Sequence, residues 1–108
     1  MQEFDLTKIE QTQNLFDSIK HINEEGMEFW YARELQEALE YTKWDNFKNV
    51  IDKAIEACKG AEIEVSSNFA DVGKIVNTGV SKKTIDDYML SRYACYLIVE
   101  MATLEKRL

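Results

Sequence analysis

Hydrophobic residues recur every three or four positions along most of the chain, which is the spacing of amphipathic helices. The clearest example follows Asp45, a good helix N-cap, and ends at Gly60. Its apolar positions form one stripe, made of Phe47, Val50, Ile51, Ala54, Ile55 and Cys58. A shorter stripe predicts a helix over residues 32–40, and another, which includes Phe16 and Ile19, predicts a helix near the start of the chain.

The sequence also predicts a corner between two of these helices and a further, more apolar helix near the end of the chain. The residues Tyr41 to Trp44 join two of the helices and predict a corner of the helix-turn-helix type, although a simple αα-hairpin is the commoner arrangement. A nearly continuous apolar run from Tyr93 to Val99, with Ser91 as its N-cap, predicts a helix buried in the centre of the domain. We expect this last helix to pack on the stripe that begins at Phe47.

The remaining segments lack helical spacing. Lys20 to Tyr31 contains a Glu-Glu-Gly turn followed by aromatic residues, which predicts a short β-hairpin with Gly26 at positive φ. Residues 61–81 predict a long loop, with a short helical turn over 69–74 as one option, and residues 84–90 suit a short strand. Together these elements predict an α+β, helix-dominated single domain that takes in all 108 residues.

Composition narrows the class of protein. Hydrophobic residues make up 45% and charged residues 31%, which excludes a disordered tail. No apolar run approaches the roughly 20 residues of a membrane helix, and the acidic start is unlike a signal peptide, so we expect a cytoplasmic protein with no membrane partner. Cys58, Cys95 and His21 cannot supply four zinc ligands. We expect both cysteines to be small buried thiols rather than a disulfide or a reactive thiol.

The chain contains no recognisable catalytic or cofactor-binding motif. GxxxxGK[ST], GxGxxG, HExxH and GxSxG are all absent. The adjacent carboxylates of Asp86 and Asp87 point apart in any regular element, so by themselves they do not form a shared-proton pair. We therefore expect no enzymatic activity, no cofactor and no small-molecule substrate.

The distribution of charge leaves nucleic-acid binding open. Residues 1–40 hold 3 basic and 10 acidic side chains, which accounts for the whole net charge of -7. Residues 41–83 hold 7 lysines against 6 acids. If folding turns those acids elsewhere, one face of this segment is cationic. The competing interpretation, that the lysines only solvate the surface, is at least as good.

Two lysine-bearing places suit contacts to a phosphate backbone. One is the start of the helix that contains Phe47, where outward N–H groups can receive a phosphate, and the other is the glycine-containing loop. Asn46 is the best candidate for reading a base edge. Arg92 either reaches a phosphate or braces the acidic pair Asp86 and Asp87. The candidate DNA-binding residues are Lys43, Asn46, Lys48, Lys82, Lys83 and Arg92.

Three segments carry a resemblance to a known family: WYARELQEALEY, KWDNFKNVIDKAIEAC and, most specifically, TIDDYMLSRYACYLIV. Over roughly residues 15–99 the chain resembles the DNA-damage-inducible protein D family, whose N-terminal domain is similar to the BRO-type domains of phage and viral proteins. The resemblance implies a bacterial or prophage protein of the SOS response to DNA damage, with DNA binding by the BRO-like module and no known catalysis. It also implies that some members act on recombinase filaments.

The sequence departs from this family in ways that affect the expectations. Where the family has Leu-Gly-Tyr between two helices, this chain has Leu39-Glu40-Tyr41, so the turn must form without glycine. We also expect this chain to lack the C-terminal region of the family. The leading hypothesis is a non-enzymatic DNA-binding module of a damage-response protein. The alternative is a protein-interaction or homodimerisation domain whose acidic N-terminal face contacts a partner such as a recombinase.

Overall fold

The computed structural model describes residues 6–106, with side chains described from Glu10 to Glu105. These residues form four helices and four strands, in the order α1 (Leu6–Ile19), β1 (His21–Ile22), β2 (Glu28–Tyr31), α2 (Ala32–Ala38), α3 (Trp44–Gly60), β3 (Phe69–Asn77), β4 (Lys82–Leu90) and α4 (Arg92–Lys106). The strands form one antiparallel sheet in the order β1-β2-β4-β3. The predicted α+β, helix-dominated class is confirmed.

The helices follow the apolar stripes closely. The helix over residues 32–40 is α2, and the clearest stripe is α3, whose buried residues are Phe47, Val50, Ile51, Ala54 and Cys58. The hairpin prediction also holds, since β1 pairs with β2 and Gly26 takes φ +80° in the turn. One detail of α3 differs. Its N-cap is Lys43, which makes no side-chain capping bond, and Asp45 lies inside the first turn.

The predicted long loop over residues 61–81, with its optional helical turn, is wrong. Phe69–Asn77 forms a nine-residue strand that pairs along its whole length with β4, and the predicted strand over 84–90 extends back to Lys82. Gly73 lies within β3 and leaves room for the side chain of Thr84 on β4, because a Cβ at position 73 would come within 2.9 Å of Cγ2 of Thr84. The glycine that suggested a loop therefore permits close cross-strand packing.

The core is built from residues of all four helices and of β2, β3 and β4. As predicted, α4 packs against α3. Trp30 of β2 is fully buried, and its indole N–H donates a 2.9 Å hydrogen bond to the carbonyl of Phe16, which ties β2 to α1. The other buried apolar residues are Ala32, Leu35, Phe47, Val50, Ile51, Ala54, Cys58, Phe69, Tyr88, Leu90, Ala94, Cys95, Ile98 and Ala102.

The C-terminal helix is buried on one face rather than all round. Ser91 is its N-cap as predicted, because its hydroxyl oxygen accepts a 3.0 Å bond from the amide of Ala94. Tyr93, Tyr96 and Leu104 lie on the exposed side. The cysteines are free and buried, as predicted, and burial raises the pKa of the Cys95 thiol to about 12.

The corner between α2 and α3 forms without glycine. Glu40 takes φ +64°, in the left-handed region, just after the end of α2. Its amide bonds to the carbonyl of Glu37 and the amide of Tyr41 to that of Gln36, each at 3.0 Å. This is the paired arrangement of a Schellman motif, which normally has glycine at the left-handed position. The turn therefore keeps its usual geometry, at the cost of strain at Glu40.

Candidate nucleic-acid interface

The distal part of the β3–β4 hairpin, residues 72–85, is an exposed two-stranded arm. No side chain in this segment is buried. Its two exposed large hydrophobic residues are Val80 in the turn, which is 97% exposed, and Ile75 on β3, which is 70% exposed. The hairpin joins the core only at its base, through Phe69, Tyr88 and Leu90. We refer to residues 72–85 as the arm.

The arm differs sharply in charge from the rest of the molecule. It contains three lysines and no acidic residue, in a chain whose net charge is -7. The nearest acids along the chain are Asp71 and Asp86, which flank the arm at its base. The arm is therefore a cationic projection from an anionic protein, and its field favours contact with a polyanion.

The lysines of the arm fall into two groups. Nζ of Lys74 lies 3.2 Å from Oδ2 of the buried Asp87 and 4.3 Å from the centre of the Tyr31 ring, so this charge is neutralised at the base. Lys82 and Lys83 are exposed and form no ion pair with any described residue. They are consecutive in β4, so they project to opposite faces of the arm.

The tip of the arm is a well-defined turn. The amide of Thr78 donates a 2.9 Å hydrogen bond to the carbonyl of Ser81, and the Thr78 hydroxyl donates a second bond of 2.8 Å to the same oxygen. Gly79 takes φ +91°, which glycine adopts at no steric cost. These bonds close the turn around its two central residues, Gly79 and Val80.

Interactions at its base fix the direction of the arm. Oδ1 of Asp87 accepts hydrogen bonds from the amide of Arg33, at 3.0 Å, and from the amide of Tyr88, at 2.8 Å. Because Tyr31 supplies no side-chain cap to α2, this carboxylate takes over that function from a distant strand. The Arg33 guanidinium also donates a 2.8 Å bond to the carbonyl of Asp86. The arm is thus anchored to α2.

The candidates at the start of α3 lie in a mixed electrostatic setting. Lys43 and Asn46 are exposed, but Asp45 lies between them. Lys48 pairs with Asp52 at 3.8 Å. Along the same helix, Lys59 pairs with Glu56 at 3.4 Å. The seven lysines of residues 41–83 therefore do not share one cationic face, because helical spacing places acids beside several of them.

Arg92 does not brace the acidic pair Asp86 and Asp87, which is one of its two predicted roles, but pairs with Glu28 instead. Its guanidinium makes two hydrogen bonds to Glu28 of β2, at 2.8 Å and 3.0 Å, and lies 5.1 Å from the Trp30 ring centre. This pair holds the pKa of Glu28 below its usual value. A phosphate contact by Arg92 would require that pair to open. The acidic pair at Asp86 and Asp87 is instead contacted by Arg33 and Lys74.

The arm was only partly visible in the sequence. The sequence predicts that Lys82 and Lys83 lie beside a loop, whereas both lie in β4. The available signal was the 14-residue stretch from Val72 to Ile85 that contains no acid. In the part of the chain that the structure describes, no three His, Cys, Asp or Glu side chains are grouped to hold a metal ion, and no helix is long and apolar enough to cross a membrane.

The fold and this surface define a small α+β domain with a protruding cationic hairpin. Residues 18–107 match the model of the BRO family, N-terminal domain. The chain belongs to this family. It is also 38% identical over 86 residues to DNA damage-inducible protein D of Escherichia coli (strain K12), a match that covers 79% of this chain and 31% of that protein. No solved structure matches significantly.

Proposed function

We propose that this domain is a non-enzymatic DNA-binding module of a damage-response protein and that the arm is its principal contact with DNA. The observation that carries the proposal is the presence of unpaired Lys82 and Lys83 on an acid-free projection. Family membership and the name of the Escherichia coli relative support the link to DNA damage. The chain spans about a third of that relative's length. Placement in a cytoplasmic SOS response, of bacterial or prophage origin, is part of the same proposal.

The arm is a better interface than the start of α3. A phosphate that approaches the start of α3 meets Asp45 in the first turn. It also meets Asp52, which lies one helical turn beyond Lys48 and pairs with it. Near the arm tip, the closest carboxylates in sequence are several strand positions away, and each strand position adds about 3.3 Å. We assign Lys43 and Asn46 to a secondary contact. Lys48 and Arg92 contribute only if their carboxylate partners are displaced.

The salt dependence of DNA affinity tests this assignment. Each phosphate contact contributes about 0.9 to the slope of log affinity against log salt on duplex DNA. Fluorescence anisotropy with a labelled 24-base-pair duplex over about 50–200 mM salt measures that slope. We expect the Lys82→Gln/Lys83→Gln variant to bind more weakly at low salt and to lose about 1.8 from the slope.

A matched control separates a specific site from a change in total charge. Lys53→Gln/Lys59→Gln removes the same charge from the exposed side of α3. We expect this control to retain the wild-type slope. Equal losses in the two variants would show that the protein responds only to net charge. If the wild type shows no binding at tens of micromolar protein and low salt, the proposed function is wrong for this domain.

The alternative function, interaction with a basic protein or with a second copy, has weaker support. Among the described residues 10–40, two acids are already paired internally, Glu28 with Arg92 and Glu34 with His21. The exposed acids in the same range are Glu10, Asp17, Glu24, Glu25, Glu37 and Glu40. The test is the Glu24→Gln/Glu25→Gln variant. If it lost capture of a recombinase, or self-association in sedimentation, while its DNA binding stayed unchanged, the protein-interaction function would have direct support.

A further inference from the structure

The apolar tip of the arm is not explained by attraction to phosphates. Val80 is 97% exposed and is one of the two central residues of a turn that hydrogen bonds close. Cations lie two and three residues behind it, at Lys82 and Lys83. This arrangement, an apolar side chain at the tip with two cations behind it, is complementary to an anionic cleft that has an apolar group on its floor.

The spacing along the arm fits the major groove of duplex DNA. That groove is about 8.5 Å deep and has the thymine C5-methyl groups on its floor. Val80 lies in the turn and β4 begins at Lys82, so the strand rise of about 3.3 Å per residue gives upper limits of about 7 and 10 Å for the distances of Lys82 and Lys83 behind Val80. With Val80 on the floor of the groove, the long side chains of both lysines can therefore reach the phosphates along its rim.

The width of the arm also selects the major groove. A two-stranded ribbon with side chains on both faces is about 10 Å thick, which fits a groove about 12 Å wide but not the minor groove of about 6 Å. Because Lys82 and Lys83 project to opposite faces, each can reach one of the two backbones. Single-stranded DNA is a poorer fit, since residues 72–85 contain no aromatic side chain on which a base could stack.

We propose that the arm enters the major groove of duplex DNA tip first, with Val80 against thymine methyl groups and Lys82 and Lys83 on the two flanking backbones. This inference rests on the proposed function and adds the strandedness, the groove and a base preference. A wedge between base pairs is less suited to Val80, because valine is shorter than the leucine, isoleucine, methionine and phenylalanine side chains that usually unstack a base step.

Removing the thymine methyl tests the floor contact directly. Alternating dA-dT and dA-dU duplexes with identical G·C ends differ inside only by that methyl group. By anisotropy, we expect the wild type to bind the dA-dT duplex about fourfold more tightly, which corresponds to burying one methyl-sized group. Val80→Ser should bind the two duplexes equally, and circular dichroism should show an unchanged fold because the side chain is exposed.

Ile75→Thr is the matched control. Ile75 is also an exposed apolar residue of the arm, but it pairs with Thr84, four residues from Val80 and therefore above the groove. We expect this variant to keep the fourfold preference. Equal affinity of the wild type for both duplexes, or a preference that survives Val80→Ser, would overturn the floor contact. Tighter binding to an oligo-dT single strand of the same length would overturn the groove assignment.

The same samples distinguish failure of this inference from failure of the proposed function. If the methyl preference is absent but Lys82→Gln/Lys83→Gln still lowers the salt slope, the arm binds DNA in another orientation and only the groove assignment falls. If no duplex binds, and the wild type instead binds vesicles containing 30% phosphatidylserine in a Val80-dependent manner, the tip contacts membranes. That result would overturn both proposals.

Discussion

The ammonium group of Lys74 lies 3.2 Å from Oδ2 of Asp87, whose side chain is fully buried. The other carboxylate oxygen caps the first turn of α2 through the amide of Arg33. One carboxylate thus neutralises the innermost lysine of the arm and attaches the arm to the helical part of the domain. The unpaired charge of the arm is left at Lys82 and Lys83, close to its tip.

We predict that Lys74→Met destabilises the domain by about 3 kcal/mol, because it leaves a buried carboxylate without its cation. Urea unfolding measures the change. In Lys74→Met/Asp87→Asn, a neutral amide needs no cation and can still accept the bond from Arg33, so we expect at least about 1 kcal/mol to return. A double variant as unstable as the single one would show that the charge of Asp87 is not the cause. The salt slope of DNA binding should stay unchanged in Lys74→Met.

We predict that Glu40→Gly makes the domain more stable by about 0.5–1 kcal/mol. The left-handed conformation at φ +64° costs a residue with a Cβ about 1–2 kcal/mol, and the greater backbone entropy of unfolded glycine offsets part of the gain. Thermal or urea unfolding checks it. The control is Glu37→Gly, one turn earlier inside α2, which should lose about 1 kcal/mol. Destabilisation by both substitutions would mean that Glu40 makes a compensating contact.

We predict opposite effects of Lys43→Ser on stability and on DNA binding. Lys43 occupies the N-cap of α3 in an extended conformation without a capping bond, so serine there should stabilise the domain by about 1 kcal/mol. If Lys43 makes the secondary phosphate contact, the same change lowers the salt slope by about 0.9. Lys53→Ser, in the helix interior, controls for the loss of charge. A gain in stability with an unchanged slope would remove Lys43 from the interface.

We predict that Glu28 stabilises the domain at neutral pH but not in acid. Because Arg92 lowers the pKa of Glu28 in the folded state, the contribution is present above the unfolded pKa of about 4.3 and disappears as the pH falls through the lower folded value. The pair is about a third exposed, so the expected effect is under about 1 kcal/mol. Urea unfolding of wild type and Glu28→Gln should differ most at pH 6, and the difference should shrink as the pH is lowered towards 3. A difference as large at pH 3 as at pH 6 would contradict the assignment.

The sequence predicted the elements whose periodicity is set by the core. Phe47, Val50 and Ile51 mark α3 because each faces the same buried surface, and Gly26 marks a turn because its φ is positive. The arm was missed because it lies beyond the core. Its residues alternate without an apolar face to bury, and Gly73, which looks like a loop residue, serves close strand packing. A strand can be predicted from its sequence when burial of one face imposes an alternating apolar pattern, and little of the arm is buried.

The candidate site was predictable in part for similar reasons. Lys82 and Lys83 were found from charge alone, which needs no knowledge of the fold. The pairing of Lys74 with Asp87, and of Arg92 with Glu28, joins residues 13 and 64 positions apart and depends on the register of the sheet. No local pattern distinguishes such a paired cation from a free one.

Amide chemical-shift mapping of the wild-type domain against an A·T-rich duplex tests the central claim most directly. We expect the largest perturbations in residues 74–85, with a maximum around Val80 to Lys83 and smaller shifts at the start of α3. Perturbations confined to the exposed side of α3 or to α4, with the arm unaffected at saturating DNA, would contradict the assignment of the arm as the DNA-binding surface.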